Sequence, residues 1–184
     1  YFLLHASDLS EQKTAEHLDR IDRQVNVIDN IVTALSDVAR LPKPKLDPVS
    51  LSDWVPETAS EVSRSDEIEL VVELPSKLPA VLIDVNQVSI ALKNLIRNAR
   101  DAMPDGGTIT ISARSEDGTV ALTVADTGPG IAQDELPRIM EPLYSTKPQG
   151  MGLGLAISRA IIEGNHGTIG AESKVGQGTT CTIE

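Results

Sequence analysis

The sequence predicts an α+β fold: a two-layer α/β sandwich, one mixed sheet covered on one face by three helices, preceded by a coiled-coil-like helical hairpin. Three observations predict it. Among the apolar residues from Lys13 to Arg40, Leu18, Ile21, Val25, Ile28, Val32, Leu35 and Ala39 are spaced alternately by three and by four, an unbroken heptad pattern. Beyond Pro48, runs of strand-like alternation are kept apart from helical stretches, which favours a layered α+β domain over a regular βαβ series. Hydrophobic residues make up 40% of the 184 residues while only Tyr1, Phe2, Trp54 and Tyr144 are aromatic, so a core can form and must be aliphatic.

The heptad stripe is narrower than the face a helix turns to a globular core. It therefore reads as the seam of a coiled coil or four-helix bundle, with a single amphipathic helix on a core as the alternative. Tyr1 to Leu4 read as the end of a preceding antiparallel helix, with Ser7-Asp8-Leu9-Ser10 as the connecting turn. Such a hairpin has too little apolar surface to stand alone, so a homodimer through it is expected. Pro42, Pro44 and Pro48 end the helix and stiffen a linker. The expected domains are residues 1–45, a partial hairpin, and residues 46–184.

In the second domain Ser52 is the expected N-cap of a helix to about Ser65, with Pro56 in its first turn. Ile68 to Leu74 and Val81 to Ile83 read as strands. Asp84 is placed to cap a long helix from Val85 to Met103, burying Val88, Leu92, Leu95, Ile96 and Ala99. Strands Thr108 to Arg114 and Thr119 to Asp126 flank a turn at Ser115 to Gly118. A Gly-rich region with a short helix leads into a helix from Leu153 to about Glu163. Strands Thr168 to Ser173 and Thr179 to Ile183 close the sheet around a turn at Val175 to Gly178.

Composition excludes several functions. A net charge of −11 argues against nucleic-acid binding, which needs a basic face. An anionic ligand then requires local cations, a divalent metal or backbone amides. No apolar run approaches the roughly 20 residues that span a bilayer, so no membrane contact is expected. The single Cys181 excludes a disulfide framework, and His5, His17 and His166 are too scattered for a metal cluster.

Four segments carry chemistry. Asn94, Asn98 and Asp101 recur at helical spacing on one face of the long helix, giving oxygen ligands suited to hard Mg²⁺, or simply a solvated polar face. Asp126-Thr-Gly128-Pro-Gly130-Ile131 follows a strand directly; its carboxylate can meet an exocyclic amine, such as that of adenine, while the glycines let a flat ligand approach. Gly150-Met-Gly152-Leu153-Gly154-Leu155 runs into a helix N-terminus and can cradle phosphates, but no strand precedes it as in a dinucleotide fingerprint. Gly176-Gln-Gly178-Thr179 lies between the last two strands and on its own is a hairpin turn. Lys147 is a candidate phosphate cation.

Taken in order, these segments resemble the N, G1, F, G2 and last glycine boxes of the ATP-binding domain shared by histidine kinases, gyrase, ninety-kilodalton heat-shock chaperones and mismatch-repair ATPases. The resemblance covers Val49 to Glu184. The heptad helix and its Arg40-Leu41-x-x-x-Pro44 exit are similar to the second helix of the dimerisation and phosphotransfer hairpin of sensor histidine kinases. The resemblance implies ATP with Mg²⁺ on Asn98, supported by Asn94. It implies the adenine amine on Asp126, with Thr179 near the same ring edge through water and Gly128 and Gly130 allowing close approach. Gly150, Gly152 and Gly154, with the amides of Leu153 and Leu155, would wrap the phosphates. Gln133 to Gln149 would be a short ATP lid in which Met140-Glu-Pro-Leu-Tyr144 stands where the family carries phenylalanines. Position 101, often a phosphate-binding basic residue in the family, is Asp, so Lys147 is the expected cation.

Hydrolysing members typically carry Glu where this chain has Asn94. An asparagine takes no proton at neutral pH, which favours phosphoryl transfer to an imidazole over hydrolysis. The acceptor box, His-Glu/Asp-Leu with a proline soon after, has no match at His5, His17 or His166, so the acceptor is expected before Tyr1. The resemblance thus implies a cytoplasmic kinase module that cannot autophosphorylate alone and whose phosphohistidine serves a response-regulator receiver domain. An ATP-hydrolysing machine and a non-catalytic dimer module remain as alternatives.

Overall fold

The computed structural model describes residues 13–22, 25, 42–62, 67–145, 147 and 151–184. Two compact units divide the chain, Tyr1–Ala39 and Arg40–Glu184. In the first, residues 13–22 form the described part of helix α1, and Leu18, Ile21 and Val25 are about half exposed. The expected turn at Ser7 to Ser10 and the heptad positions from Ile28 to Ala39 lie outside the described residues.

The second unit runs β1 (Asp47–Val49), α2 (Leu51–Val62), β2 (Ile68–Glu73), β3 (Val81–Ile83), α3 (Val85–Asp101), β4 (Gly107–Glu116) and β5 (Thr119–Asp126). A 3₁₀ turn (Leu136–Arg138), α4 (Gly154–Gly164), β6 (Ile169–Lys174) and β7 (Gly178–Ile183) follow. The main sheet has the order β2-β4-β5-β7-β6, with β2 and β4 parallel and the other pairs antiparallel. Alternate residues make its inner face: Ile109, Ile111 and Ala113, Leu122 and Val124, and Ile183 are buried with α2, α3 and α4 in one aliphatic core. Thr110, Ser112, Thr123 and Glu172 occupy the alternate positions of their strands. This is the expected mixed sheet with helices on one face.

α3 lies between α2 and α4 and buries Val88, Leu92, Leu95, Ile96 and Ala99, the face its periodicity predicted. Its N-terminus is capped by Asp84, whose Oδ1 accepts from the Asn86 and Gln87 amides at 3.1 and 3.2 Å. The carboxyl of Asp84 is held below its ordinary value, chiefly by the Lys45 amide donating to Oδ2.

Three details differ from expectation. β1 is a strand where only linker was expected; it pairs antiparallel with β3 although Pro48 cannot donate to a ladder. α2 begins at Leu51, so Ser50, whose carbonyl accepts from Trp54 at 3.1 Å, holds the position expected for Ser52. Pro56 consequently sits in the second turn. The lost amide would have bonded the carbonyl of Ser52, and Ser52 is exposed to water.

The linker is tied to this framework by buried amides. Asn165, just past α4, accepts from the Asp84 amide at 2.7 Å and donates to Gln87 Oε1 at 3.2 Å and to the Ile161 carbonyl at 2.9 Å. Gln87 in turn donates to the Pro42 carbonyl at 2.8 Å. The end of α4, the start of α3 and the entering chain are thereby fixed together.

Candidate functional site

The inner face of the sheet is apolar until its last row, and there it turns polar. Asp126 ends β5 in the same alternation as Leu122 and Val124; opposite it on β7 stands Thr179, and opposite Thr179 on β6 stands Ser173. Cross-strand partners share a face, so the three side chains form a row at the edge of the core. Asp126 Oδ1 accepts from the amides of Gly128 at 2.9 Å and Thr179 at 3.2 Å. Oδ2 has no donor among the described residues. Burial raises the Asp126 carboxyl above its ordinary value, opposed by those two amides and by the positive charge of Lys147. A half-buried carboxylate oxygen of this kind can accept a hydrogen bond from an exocyclic amine.

The loop after Asp126 is moulded onto the β6–β7 hairpin. The Ile131 amide donates to Ser173 Oγ at 2.8 Å, and the Gly176 amide donates to the Pro129 carbonyl at 2.7 Å. Gly130 has φ +72, and a side chain there would run into the Lys174 carbonyl. Only glycine closes this approach, which serves the packing of the loop on the hairpin.

The second wall is α3. Asn94 Nδ2 reaches the Gly154 carbonyl at 3.5 Å, the long limit of a hydrogen bond, and Asn94 Oδ1 accepts no donor among the described residues. The Asn98 amide group has no protein partner among them either. It lies beside Gly154, whose Cβ, if present, would come within 3.8 Å of Asn98 Nδ2. α4 therefore begins against the asparagine stripe. Unlike α3, it has no side-chain cap: Leu153 at its N-cap is buried and offers no acceptor, so its first amides are open to an anion. Leu155 packs against the core.

Lys147 supplies the local cation. Its Nζ donates to the Asn98 carbonyl at 3.2 Å, and burial lowers its ammonium below the ordinary value, with Asp101 and Asp126 acting in the opposite sense. Asp101 pairs on the surface with Arg100 at 3.3 Å. Gly152 has φ +66 and packs against the Tyr144 backbone, its carbonyl accepting from the Leu143 amide at 3.0 Å. Arg138 lies over the Tyr144 ring, 4.2 Å from its centroid. Leu143 is exposed with φ +65.

The structure joins Asn94 and Asn98 to Gly154 and Asn98 to Lys147 on one side, and Asp126 to Gly128 and Thr179 on the other, with the Lys147 charge acting on Asp126 between them. Gly130 and Ile131 lie against the β6–β7 hairpin. Gly152 lies against the Tyr144 backbone, and Leu153 and Leu155 are packed inward. Gly150 lies outside the described residues. Ser173 was not foreseen. Its signal was a polar residue on the inward alternation of Ile169 and Ala171, which alone does not distinguish a site from a strand end.

A divalent ion fits this donor set. Asn98 offers a neutral oxygen with no protein partner among the described residues. Mg²⁺ takes few protein ligands and completes its shell with water and phosphate, as such a sparse site requires.

Residues 83–184 match the family described as histidine kinase-, DNA gyrase B-, and HSP90-like ATPase. Sporulation kinase B of Bacillus subtilis (strain 168) is 32% identical over 99% of this chain and 43% of its own length. The sensor histidine kinase ZraS of Escherichia coli (strain K12) is 33% identical over 94% of this chain and 36% of its own. The chain thus spans less than half the length of these curated relatives. Among solved structures, full-length ShkA in complex with AMPPNP superposes with a TM-score of 0.74 at 29% identity, covering 97% of this chain and 39% of that one. The nucleotide-free catalytic domain of histidine kinase ThkA gives 0.67 at 29% identity, covering 76% and 93%.

Proposed function

Given that the chain belongs to the histidine kinase-, DNA gyrase B- and HSP90-like ATPase family, as an ATP-binding catalytic domain of the sensor histidine kinase type, we propose that it transfers the γ-phosphoryl group of Mg-ATP to a histidine. The observation that carries this reading is the pairing of two walls: an unfilled carboxylate oxygen on the Asp126 row, and an uncapped α4 N-terminus facing Asn98 and Lys147.

Asp126 Oδ2 accepts from the adenine amine, and Gly128 and Gly130 let the ring lie close. The amides of Gly152, Leu153, Gly154 and Leu155, with Gly150, hold the phosphates, and Lys147 adds charge. Asn98, with Asn94 behind it, would hold Mg²⁺, which would supply positive charge against that of the phosphates. The attacking imidazole nitrogen forms the N–P bond as the bond from the γ-phosphorus to the bridging oxygen breaks. ADP leaves with that oxygen, and the imidazole proton passes to a neighbouring base or to water. No residue at position 94 needs to take that proton, and Asn94 cannot.

The acceptor belongs to a dimerisation hairpin to which residues 1–45 contribute, and since none of His5, His17 and His166 stands in an acceptor box, this chain alone does not autophosphorylate. Leu18, Ile21 and Val25, half exposed in the single chain, bury against a second copy in a homodimer. The phosphohistidine then serves the aspartate of a response-regulator receiver domain. A cytoplasmic location suits the ATP supply; among the described residues no helix is long and apolar enough to cross a membrane.

The test is the fate of γ-labelled Mg-ATP given to the chain with a helical hairpin carrying the acceptor histidine of a related kinase. Acid-labile label on the hairpin with little free phosphate is expected. Rapid phosphate release without any acceptor would overturn the assignment in favour of hydrolysis.

A further inference from the structure

Ser173 has one hydroxyl and three partners. Its Oγ lies 2.8 Å from the Gly178 carbonyl, 2.8 Å from the Ile131 amide nitrogen and 2.9 Å from Thr179 Oγ1. A serine hydroxyl has a single proton to donate and two lone pairs to accept with. A carbonyl only accepts and an amide only donates. The Ser173 proton therefore goes to Gly178, one lone pair takes the Ile131 N–H, and the other is left for Thr179. All three contacts are satisfied only if Thr179 is the donor. Its hydroxyl hydrogen is committed to Ser173, and its Oγ1 has lone pairs, not a proton, left for any further partner.

Thr179 stands directly opposite Asp126 in the sheet, and Asp126 Oδ1 is filled by two amides. We propose that Ser173 is a positioning residue that fixes the hydrogen-bond polarity of the base edge: through Thr179 it leaves two acceptors, Asp126 Oδ2 and Thr179 Oγ1, facing the ring. The proposal rests on reading this row as the base end of the nucleotide site. Two acceptors suit a purine with a 6-amino donor, directly or through a water. They oppose a 6-oxo purine, whose oxygen brings a third acceptor. A carboxylate alone disfavours the oxo group; an unrestrained threonine beside it could turn its hydroxyl to donate and recover part of the loss. Ser173 removes that freedom, so discrimination is set by a residue that need not touch the base.

The experiment measures equilibrium affinities of the full chain for Mg-ATP and Mg-ITP in the parent, Ser173→Ala, Ser173→Thr, Thr179→Val and the Ser173→Ala/Thr179→Val double variant. Freeing one hydroxyl is expected to reduce the ATP-over-ITP preference of Ser173→Ala by about three- to tenfold, chiefly by tighter ITP binding. Ser173→Thr keeps the hydroxyl and should keep the parent preference. With Thr179→Val there is no hydroxyl to release, so adding Ser173→Ala should leave the preference unchanged. If Ser173→Ala unfolds below the assay temperature, Ser173→Cys, a weak donor and acceptor of similar size, takes its place.

Equal weakening of both nucleotides by Ser173→Ala, as a loosened loop would produce, overturns the proposal. So does a change in preference that persists without the Thr179 hydroxyl. A parent that binds no ATP fails earlier: it overturns the nucleotide-site reading itself. A parent that binds ATP while Ser173→Ala leaves the preference intact removes only the role of Ser173.

Discussion

Replacing Asn165 by alanine should destabilise the second unit by about 2–4 kcal/mol, although Asn165 touches no proposed ligand. Its side chain joins three elements: it accepts from the Asp84 amide at 2.7 Å and donates to Gln87 Oε1 at 3.2 Å and the Ile161 carbonyl at 2.9 Å. Truncation does not orphan Ile161, whose carbonyl still receives the Asn165 backbone amide at 3.0 Å. It does orphan Gln87 Oε1 on a residue only 6% exposed, at a cost of about 1–3 kcal/mol, and the Asp84 amide, which water can partly reach, at about 1 kcal/mol. For a unit of this size each kcal/mol lowers the melting temperature by about 3–4 °C, so a drop of about 6–16 °C is expected. Trp54 makes the assay specific. It is the sole tryptophan, buried in α2, and its indole donates to Ser89 on α3 at 2.8 Å, so its fluorescence reports melting of this unit. A shift below about 2 °C would mean that the orphaned groups find new partners and would refute the reasoning.

Other perturbations separate site from scaffold. Burial holds Asp126 above its ordinary carboxylate value of 3.8, so between that value and its folded one the folded chain keeps a proton that the unfolded chain has lost. Stability contributed by this group falls as pH rises through that window, and at neutral pH the charge is a net cost without nucleotide. Asp126→Asn should therefore melt higher than the parent at pH 7, with the gap closing as the melts are repeated at lower pH. Lys147→Met should weaken nucleotides in order of phosphate count, ATP most and AMP least, in a competition titration; equal loss for all three would remove Lys147 from the phosphates. Gly130→Ala forces a side chain into the Lys174 carbonyl at positive φ and should lift the loop from the hairpin, lowering ATP affinity at least tenfold in the same titration.

The long elements were readable because each states its face in its own spacing. α3 buries the five residues its period marks, and β5 runs over the residues its alternation gave. What escaped depends on partners distant in sequence. β1 is three residues long, contains Pro48, and exists through pairing with β3 more than thirty residues on. Ser50 rather than Ser52 starts α2 because the chain leaves β1 at Val49, and a cap follows the strand end more than the local sequence. The Gln87–Asn165 pair, separated by 78 residues, carries no period. His166, with a φ of +67, turns the chain between α4 and β6. In the site, glycines and asparagines announced themselves by spacing. Ser173 acquires meaning only when the sheet order sets β6 beside β7 and so beside Asp126.

The central claim is that the polar row ending β5, β7 and β6 faces α3 and α4 across a nucleotide. A calorimetric titration of the parent and of Asp126→Asn with Mg-ATP tests it most directly. The account predicts one site per chain in the parent and an affinity at least tenfold weaker in the variant, since an asparagine offers the adenine amine a neutral group in place of a carboxylate. Equal affinities, with both chains folded by Trp54 fluorescence, would contradict it.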